Sequence, residues 1–187
     1  MTKKELRTKY RELRKALSQE DIEVKSIQIA NQLLQLDIWN RTFYHIFLSI
    51  DSNHEIQTSP IINILNGRDK HVVIPKTNFE SRSLTHYLLT DSTLIKANEW
   101  NIPEPVEGIV INPEQLDVIF IPLLAYDLKG NRVGYGKGFY DGFLDQCQSS
   151  SLKIGLSFFG PEVKIDDVYE GDIPLDFCVT PNDILQF

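Results

Sequence analysis

The 187-residue chain has little cysteine: only Cys147 and Cys178, neither in a C-x-x-C pair or beside clustered histidines. Two thiols are too few for a disulfide framework and give no zinc spacing, so a reducing, cytoplasmic setting is expected. No run of about 18 apolar residues occurs, which excludes a membrane-spanning helix. The opening Met1-Thr2-Lys3-Lys4-Glu5 leads into alternating charge rather than an apolar signal segment, so export is not expected either. His45, His54, His71 and His86 lack ligand spacing, which argues against a histidine metal centre. Low-complexity runs and repeated blocks are also missing. With 42% hydrophobic and 24% charged residues, the composition is that of a globular chain rather than a disordered one. The length suits a single domain over residues 1–187.

Positive charge is scarce except at one end. The formal net charge is −7, from 19 basic and 26 acidic residues. Seven of the basic residues (Lys3, Lys4, Arg7, Lys9, Arg11, Arg14 and Lys15) and only two of the acidic ones (Glu5 and Glu12) fall in the first fifteen positions, so that segment carries +5 and the remainder −12. A body of that sign repels a nucleic-acid backbone, and no nucleic-acid partner is expected. A short basic helix can still grip a small polyanion.

Along the chain, Thr2 and Glu5 form a capping-box pattern, followed by Leu6, Tyr10, Leu13 and Leu17 at helical spacing. Ser18 predicts the N-cap of a second helix, with Ile22, Ile29, Leu33 and Leu36 inward and Asn40 at its end. Phe43 to Leu48 reads as a strand closed by the polar stretch Asp51 to Glu55. Ser59 and Pro60 open a short helix, Ile61 to Asn66, which Gly67 ends. His71 to Pro75 predicts a buried strand and Leu84 to Leu89 an antiparallel neighbour. Thr90 to Pro113, interrupted by prolines, is expected to be irregular. Asp117 to Pro122 is the clearest parallel-type strand; a helix from about Gly138 to Gln146 and strands at Lys153 to Ser157 and Phe177 to Thr180 follow. This alternation predicts a three-layer α/β/α domain on a mostly parallel sheet, with ligands beyond the carboxyl ends of the strands.

The segment Arg132-Val133-Gly134-Tyr135-Gly136-Lys137-Gly138-Phe139-Tyr140-Asp141 places three glycines and a lysine where a loop meets a helix. Backbone N–H groups in such a turn can cradle phosphate oxygens. It is neither a Walker A loop, since Gly138 follows Lys137, nor G-x-G-x-x-G. An isolated turn of this kind is as often a tight bend with an exposed lysine. Arg132, Lys137 and Asp141 favour the phosphate reading: the cations neutralise phosphates, and a carboxylate can help hold magnesium.

The same segment resembles the signature of the 5-formyltetrahydrofolate cyclo-ligases, also called 5,10-methenyltetrahydrofolate synthetases. The family's Lys-x-x-Leu-Arg is matched by Lys3-Lys4-Glu5-Leu6-Arg7, and its strand and glutamate loop by Phe47-Leu48-Ser49 and Glu55-Ile56-Gln57-Thr58. Its Pro-Glu-Pro loop is matched by Trp100-Asn101-Ile102-Pro103-Glu104-Pro105, and the similarity spans nearly the whole chain.

The resemblance implies a Rossmann-like, CoA-transferase-like fold and a cytoplasmic monomer that closes 5-formyltetrahydrofolate to 5,10-methenyltetrahydrofolate with ATP and Mg2+. The folate partner expected from the resemblance includes polyglutamylated forms. It further implies ATP contacts from Lys3, Lys4, Glu5, Leu6 and Arg7 and from Arg132 to Tyr140, that is Arg132, Val133, Gly134, Tyr135, Gly136, Lys137, Gly138, Phe139 and Tyr140. Folate contacts would come from Leu48, Glu55, Trp100 and Tyr135 to Phe139, catalytic contacts from Arg132, Lys137 and Tyr140, and magnesium carboxylates from Asp141 and Asp172. Without the family, Lys3 and Arg7 read as a solvated helix face, Asp172 and Asp176 as turn caps, and Phe139 and Tyr140 as core. Two other functions stay open. Another ATP-dependent phosphotransferase would keep the phosphate turn without needing Glu55 or the Trp100 loop, and an effector-binding α/β module would bind anions without hydrolysing ATP.

Overall fold

A computed structural model describes residues 1–187. Two helices come first, α1 (Lys3–Lys15) and α2 (Gln19–Leu33), each opened by a capping box: Thr2 with Glu5, and Ser18 with Asp21. Helix α2 stops at Leu33 rather than at Asn40, because the chain breaks into turns that fold Trp39 back onto the Leu33 carbonyl. Helix α3 (Ser59–Gly67) begins one residue earlier than expected, with Thr58 in the cap position and Pro60 in its first turn. Helix α4 (Phe139–Leu144) is shorter than the expected span to Gln146.

The main sheet comprises β1 (Phe43–His45), β2 (His71–Asn78), β3 (Ser83–Leu88), β6 (Val118–Pro122), β9 (Leu152–Leu156), β10 (Phe177–Val179) and β11 (Ile184–Gln186). Their order is β11-β10-β9-β6-β1-β2-β3; the four inner pairings are parallel and the two outer ones, β2 with β3 and β10 with β11, are antiparallel. Strand β11 has no strong apolar run and was not anticipated. Thr90 to Pro113 is less irregular than its prolines suggest: β4 (Ile95–Ala97) pairs with β5 (Pro103–Pro105). Buried Glu104 accepts a hydrogen bond from the Thr77 N–H at 2.7 Å, tying this small hairpin to β2.

The sheet residues alternate between two layers, as strand geometry requires. Tyr44, Ile46, Val72, Ile74, Val118, Phe120 and Ile154 pack under α2 and α3, while Val73, Ile119 and Ile121 pack with Phe143 and Leu144 of α4 and with Tyr126. The architecture is therefore α/β with helices on both faces. A third, smaller apolar cluster joins α1, through Leu6 and Tyr10, to a two-stranded hairpin of β7 (Ala125–Tyr126) and β8 (Arg132–Val133). Fully buried Asp127 shapes that hairpin by accepting from the N–H groups of Lys129 and Asn131, and it also holds the Ile165 N–H.

One feature of α1 departs from the expected apolar stripe. Leu13 is exposed, and Arg14 takes the inward place below Tyr10. Lys3, Leu6, Tyr10 and Arg14 recur at three- and four-residue steps, which is one helical face. No helix is long and apolar enough to cross a membrane.

Candidate active site

Between β1 and β6 the chain order of the strands reverses, and a crevice opens there beyond their carboxyl ends, as open α/β sheets require. The cleft has a volume of about 520 Å³ and its floor is formed by Phe47 and Leu48 after β1, Pro75 and Thr77 of β2, and Pro122 and Leu124 at the end of β6. Lys3, Arg7, Arg11 and Lys15 line one side. These cations stand four residues apart along α1, so one helix face carries all of them. The other walls are the Ile50–Glu55 loop, the glycine turn Gly134–Asp141, Trp100 and Asp172.

The helix and the glycine turn are in direct contact. Arg7 Nε donates to the Gly134 carbonyl at 2.9 Å, and a side chain at Gly136 would meet the Arg7 guanidinium at 3.0 Å. Gly136 has φ +94° and Gly138 φ +75°, a region L-residues adopt only with strain, so glycine is needed twice for the turn to bring its backbone against α1. Arg132, on β8, is clamped at both ends: one nitrogen donates to the Ile173 carbonyl and the other to Asp141 Oδ1 at 2.5 Å. Lys3 Nζ pairs with Asp172 and lies 4.8 Å from the Tyr169 ring centre. Burial alone would push the Asp172 carboxyl up. The Lys3 ammonium, the Tyr169 N–H and the Arg132 charge outweigh it and hold the group below the usual carboxylate range.

Across the cleft, Glu55 is almost fully buried. It accepts from the Tyr135 hydroxyl through Oε1 and from the Ile50 N–H through Oε2 at 2.9 Å. Burial drives its carboxyl upward, opposed by those two hydrogen bonds and by Arg14. At the cleft mouth Lys137 sits 4.9 Å from the Phe79 ring centre and 5.2 Å from that of Trp100, and Phe79 meets Phe139 edge-on at 5.7 Å. Tyr140 reaches the floor, where its ring abuts His45 and Phe143 and its hydroxyl has no partner. Burial pushes that hydroxyl's pKa upward.

Most of the residues singled out from sequence thus meet in one cleft, but Lys4, Glu5, Leu6 and Val133 do not line it. Lys4 points to solvent, Glu5 closes the capping box, and Leu6 and Val133 are fully buried between α1 and the hairpin. Leu6 and Val133 could reach a ligand there only through backbone. A family model for the 5-formyltetrahydrofolate cyclo-ligase family matches residues 1–181.

The chain belongs to the 5-formyltetrahydrofolate cyclo-ligase family. It is 32% identical over 183 residues to the 5-formyltetrahydrofolate cyclo-ligase of Haemophilus influenzae, covering 92% of this chain and 94% of that one. The mouse cyclo-ligase is also 32% identical, over 180 residues and 88% of each chain. The solved 5,10-methenyltetrahydrofolate synthetase of Aquifex aeolicus superposes with a TM-score of 0.83 at 31% identity, covering all of this chain and 93% of that one. A Mycoplasma pneumoniae synthetase shares the fold at TM-score 0.77 and 22% identity, covering 97% and 99% of the two chains. Membership makes the protein an enzyme of the ligase class.

In this cyclo-ligase cleft several residues escaped the sequence reading. Arg11 and Lys15 belong to no motif, and their four-residue steps from Lys3 and Arg7 are the signal that places them on the same helix face. Arg14 falls on the stripe of Leu6 and Tyr10, where a cation is out of place unless it has a buried partner. Phe79 has no sequence signal, because only the β2–β3 turn brings it to Trp100.

Proposed function

We propose that the protein, as a single cyclo-ligase domain over residues 1–187, joins the formyl carbon of 5-formyltetrahydrofolate to the neighbouring anilino nitrogen, consuming ATP and Mg2+. The observation that carries this reading is that a four-cation helix face and a glycine turn, touching through Arg7 and Gly134, share one cleft with the buried Glu55 carboxylate. Triphosphate and folate then lie side by side.

The chemical obstacle is the formamide oxygen, a poor leaving group. Passing the γ-phosphoryl group onto that oxygen, with ADP released, gives an iminium phosphate. The anilino nitrogen attacks its carbon, the carbon–oxygen bond to phosphate breaks, and the nitrogen loses its proton. Protein groups position more than they react: Lys3, Arg7, Arg11 and Arg132 neutralise phosphate charge, the N–H groups of Gly134 to Gly138 orient it, and Glu55 with Trp100, Phe79 and Leu48 holds the folate. Such placement is worth effective molarities of about 10⁵–10⁸ M.

Asp141 and Asp172 both act on the Arg132 guanidinium and line the cleft, and no third carboxylate, histidine or thiolate joins them. A two-carboxylate set fits a magnesium ion that completes its shell with phosphate oxygens and water. When bound, that ion supplies charge neutralisation at the transferring phosphate.

The test is to mix purified protein with 5-formyltetrahydrofolate and MgATP and follow the near-ultraviolet absorbance of the conjugated methenyl product. The band should grow only when ATP is present. No band under these conditions, with folded protein, rejects the assignment.

A further inference from the structure

Arg14 is the one cation of α1 that is both buried and without a carboxylate within ion-pairing distance. Its guanidinium, 4% exposed, donates through Nη1 to the Tyr135 hydroxyl and through Nη2 to the Leu123 carbonyl, both at 2.6 Å. Taking an unpaired guanidinium out of water is unfavourable unless a compensating charge is close. That charge is Glu55, one hydroxyl away. Because a guanidinium only donates, the Tyr135 oxygen must accept from Arg14, which leaves its single proton for Glu55 Oε1. With Glu55 ionised, both bonds run from the arginine toward the carboxylate.

The second Glu55 oxygen takes the Ile50 N–H, and the residue lines the cleft. We propose that Arg14 is a positioning residue which, through the Tyr135 hydroxyl, holds Glu55 ionised and correctly turned for the donor groups of the folate ring. This deepens the function proposed above and rests on it for the identity of the ligand. The groups facing Glu55 are Arg14 from α1, Tyr135 from the glycine turn, Tyr140 from α4, and the Ile50 N–H and Asn53 side chain on its own loop. Among these Arg14 is the only full positive charge. Burial works against the ionised carboxylate, so removing Arg14 or the hydroxyl leaves that opposition uncompensated.

Two measurements test the relay, on Arg14→Met, which keeps volume without charge, on Arg14→Lys, and on Tyr135→Phe, which removes one hydroxyl. The first needs no ligand: carbon-13 NMR titration of the Glu55 side-chain carboxyl, assigned with Glu55→Gln. Its midpoint should rise in Arg14→Met and in Tyr135→Phe, and rise no further in the double variant, since both changes cut one chain of bonds. The second is direct binding of 5-formyltetrahydrofolate and of ATP, each alone. Arg14→Met should weaken folate about tenfold and ATP by less than about twofold, with folate binding lost at higher pH than in the wild type. Arg14→Lys should restore part of the midpoint and part of the affinity.

An unmoved Glu55 midpoint in Arg14→Met and Tyr135→Phe overturns the proposal. So does an equal loss of both ligands with no change in the pH limb, which is the pattern of a merely structural arginine. A wild type that binds no 5-formyltetrahydrofolate rejects the function instead, and the titration still decides whether Arg14 governs Glu55.

Discussion

Individual side chains in the cleft have separable duties, because the cations and carboxylates that face it are held by different partners. Arg7 spends only its Nε on the Gly134 carbonyl, leaving the rest of the guanidinium toward the space where a triphosphate would lie. Replacing it with alanine should raise the ATP KM about tenfold and the folate KM less than about twofold, since one charge-assisted contact is lost on one ligand. Steady-state kinetics with each substrate varied in turn will check this; equal ATP affinity in mutant and parent counts against it. Asp141 is 42% exposed and paired with an Arg132 that also holds the Ile173 carbonyl. Asp141→Asn should therefore leave folding nearly intact while cutting turnover at limiting magnesium by about tenfold or more, with partial recovery at excess metal. A rate-against-magnesium curve that superposes on the wild type would remove Asp141 from metal binding.

At the level of elements, α1 carries one wall of the cleft from outside the central sandwich. It sits outside the two layers that sandwich the sheet and is attached through the Leu6 and Tyr10 cluster, the Tyr10 hydroxyl on Glu162 at 2.8 Å, the Lys3 N–H on Asp167 at 2.6 Å, and the bonds of Lys3, Arg7 and Arg14 to Asp172, the glycine turn and Leu123. The Met1–Asp166 pair is exposed on both sides and the Lys9–Glu162 pair on its lysine side, so each adds little. Its start depends on the Thr2–Glu5 capping box. Thr2→Ala should cost about 1 kcal/mol locally, fraying the first turn, which carries Lys3 and leads into Arg7. Amide exchange in α1 should accelerate and ATP affinity should fall, while the denaturation midpoint moves little. A variant with unchanged exchange through residues 3–7 would show that the cap does not hold this end of the helix.

Across the whole molecule, the sheet carries two buried histidines that face one another near the cleft floor. His45 of β1 and His86 of β3 lie 5.2 Å apart between ring centres, packed on Phe143, and no ring nitrogen of either has a hydrogen-bond partner. Burial holds both in the neutral form, lowering His45 well below the usual histidine range and His86 from 6.5 to about 4. The unfolded chain therefore binds more protons than the folded one between those values. The stability due to neutral burial is complete above pH about 6.5 and is lost progressively as pH falls toward about 4, on the order of 3 kcal/mol for His86 alone. Urea midpoints compared at pH 7.5 and 4.5 should fall with acid, and His86→Phe should flatten that dependence. The same slope in the variant would refute the role of His86.

What the sequence alone determined is local or periodic: the Thr2–Glu5 capping box and the Ser18 N-cap, the alternation of strands and helices, the parallel core around Val118 to Pro122, and the glycine turn. Each depends on residues within a few positions of one another, so spacing suffices. The family's motifs likewise marked Lys3, Arg7, Glu55 and Asp172 as members of one site. Tertiary structure alone decided the rest. Strand β11 and the β4–β5 hairpin are pairings whose stability comes from a neighbour rather than from their own residues. Arg14 took the place expected of Leu13 because a buried hydroxyl and carboxylate, 121 and 41 positions away in the chain, were there to receive its charge. Phe79 met Trp100 only once β2 and β3 had turned back on each other. A buried polar group is stable only beside its partner, and long-range partners are chosen by the fold.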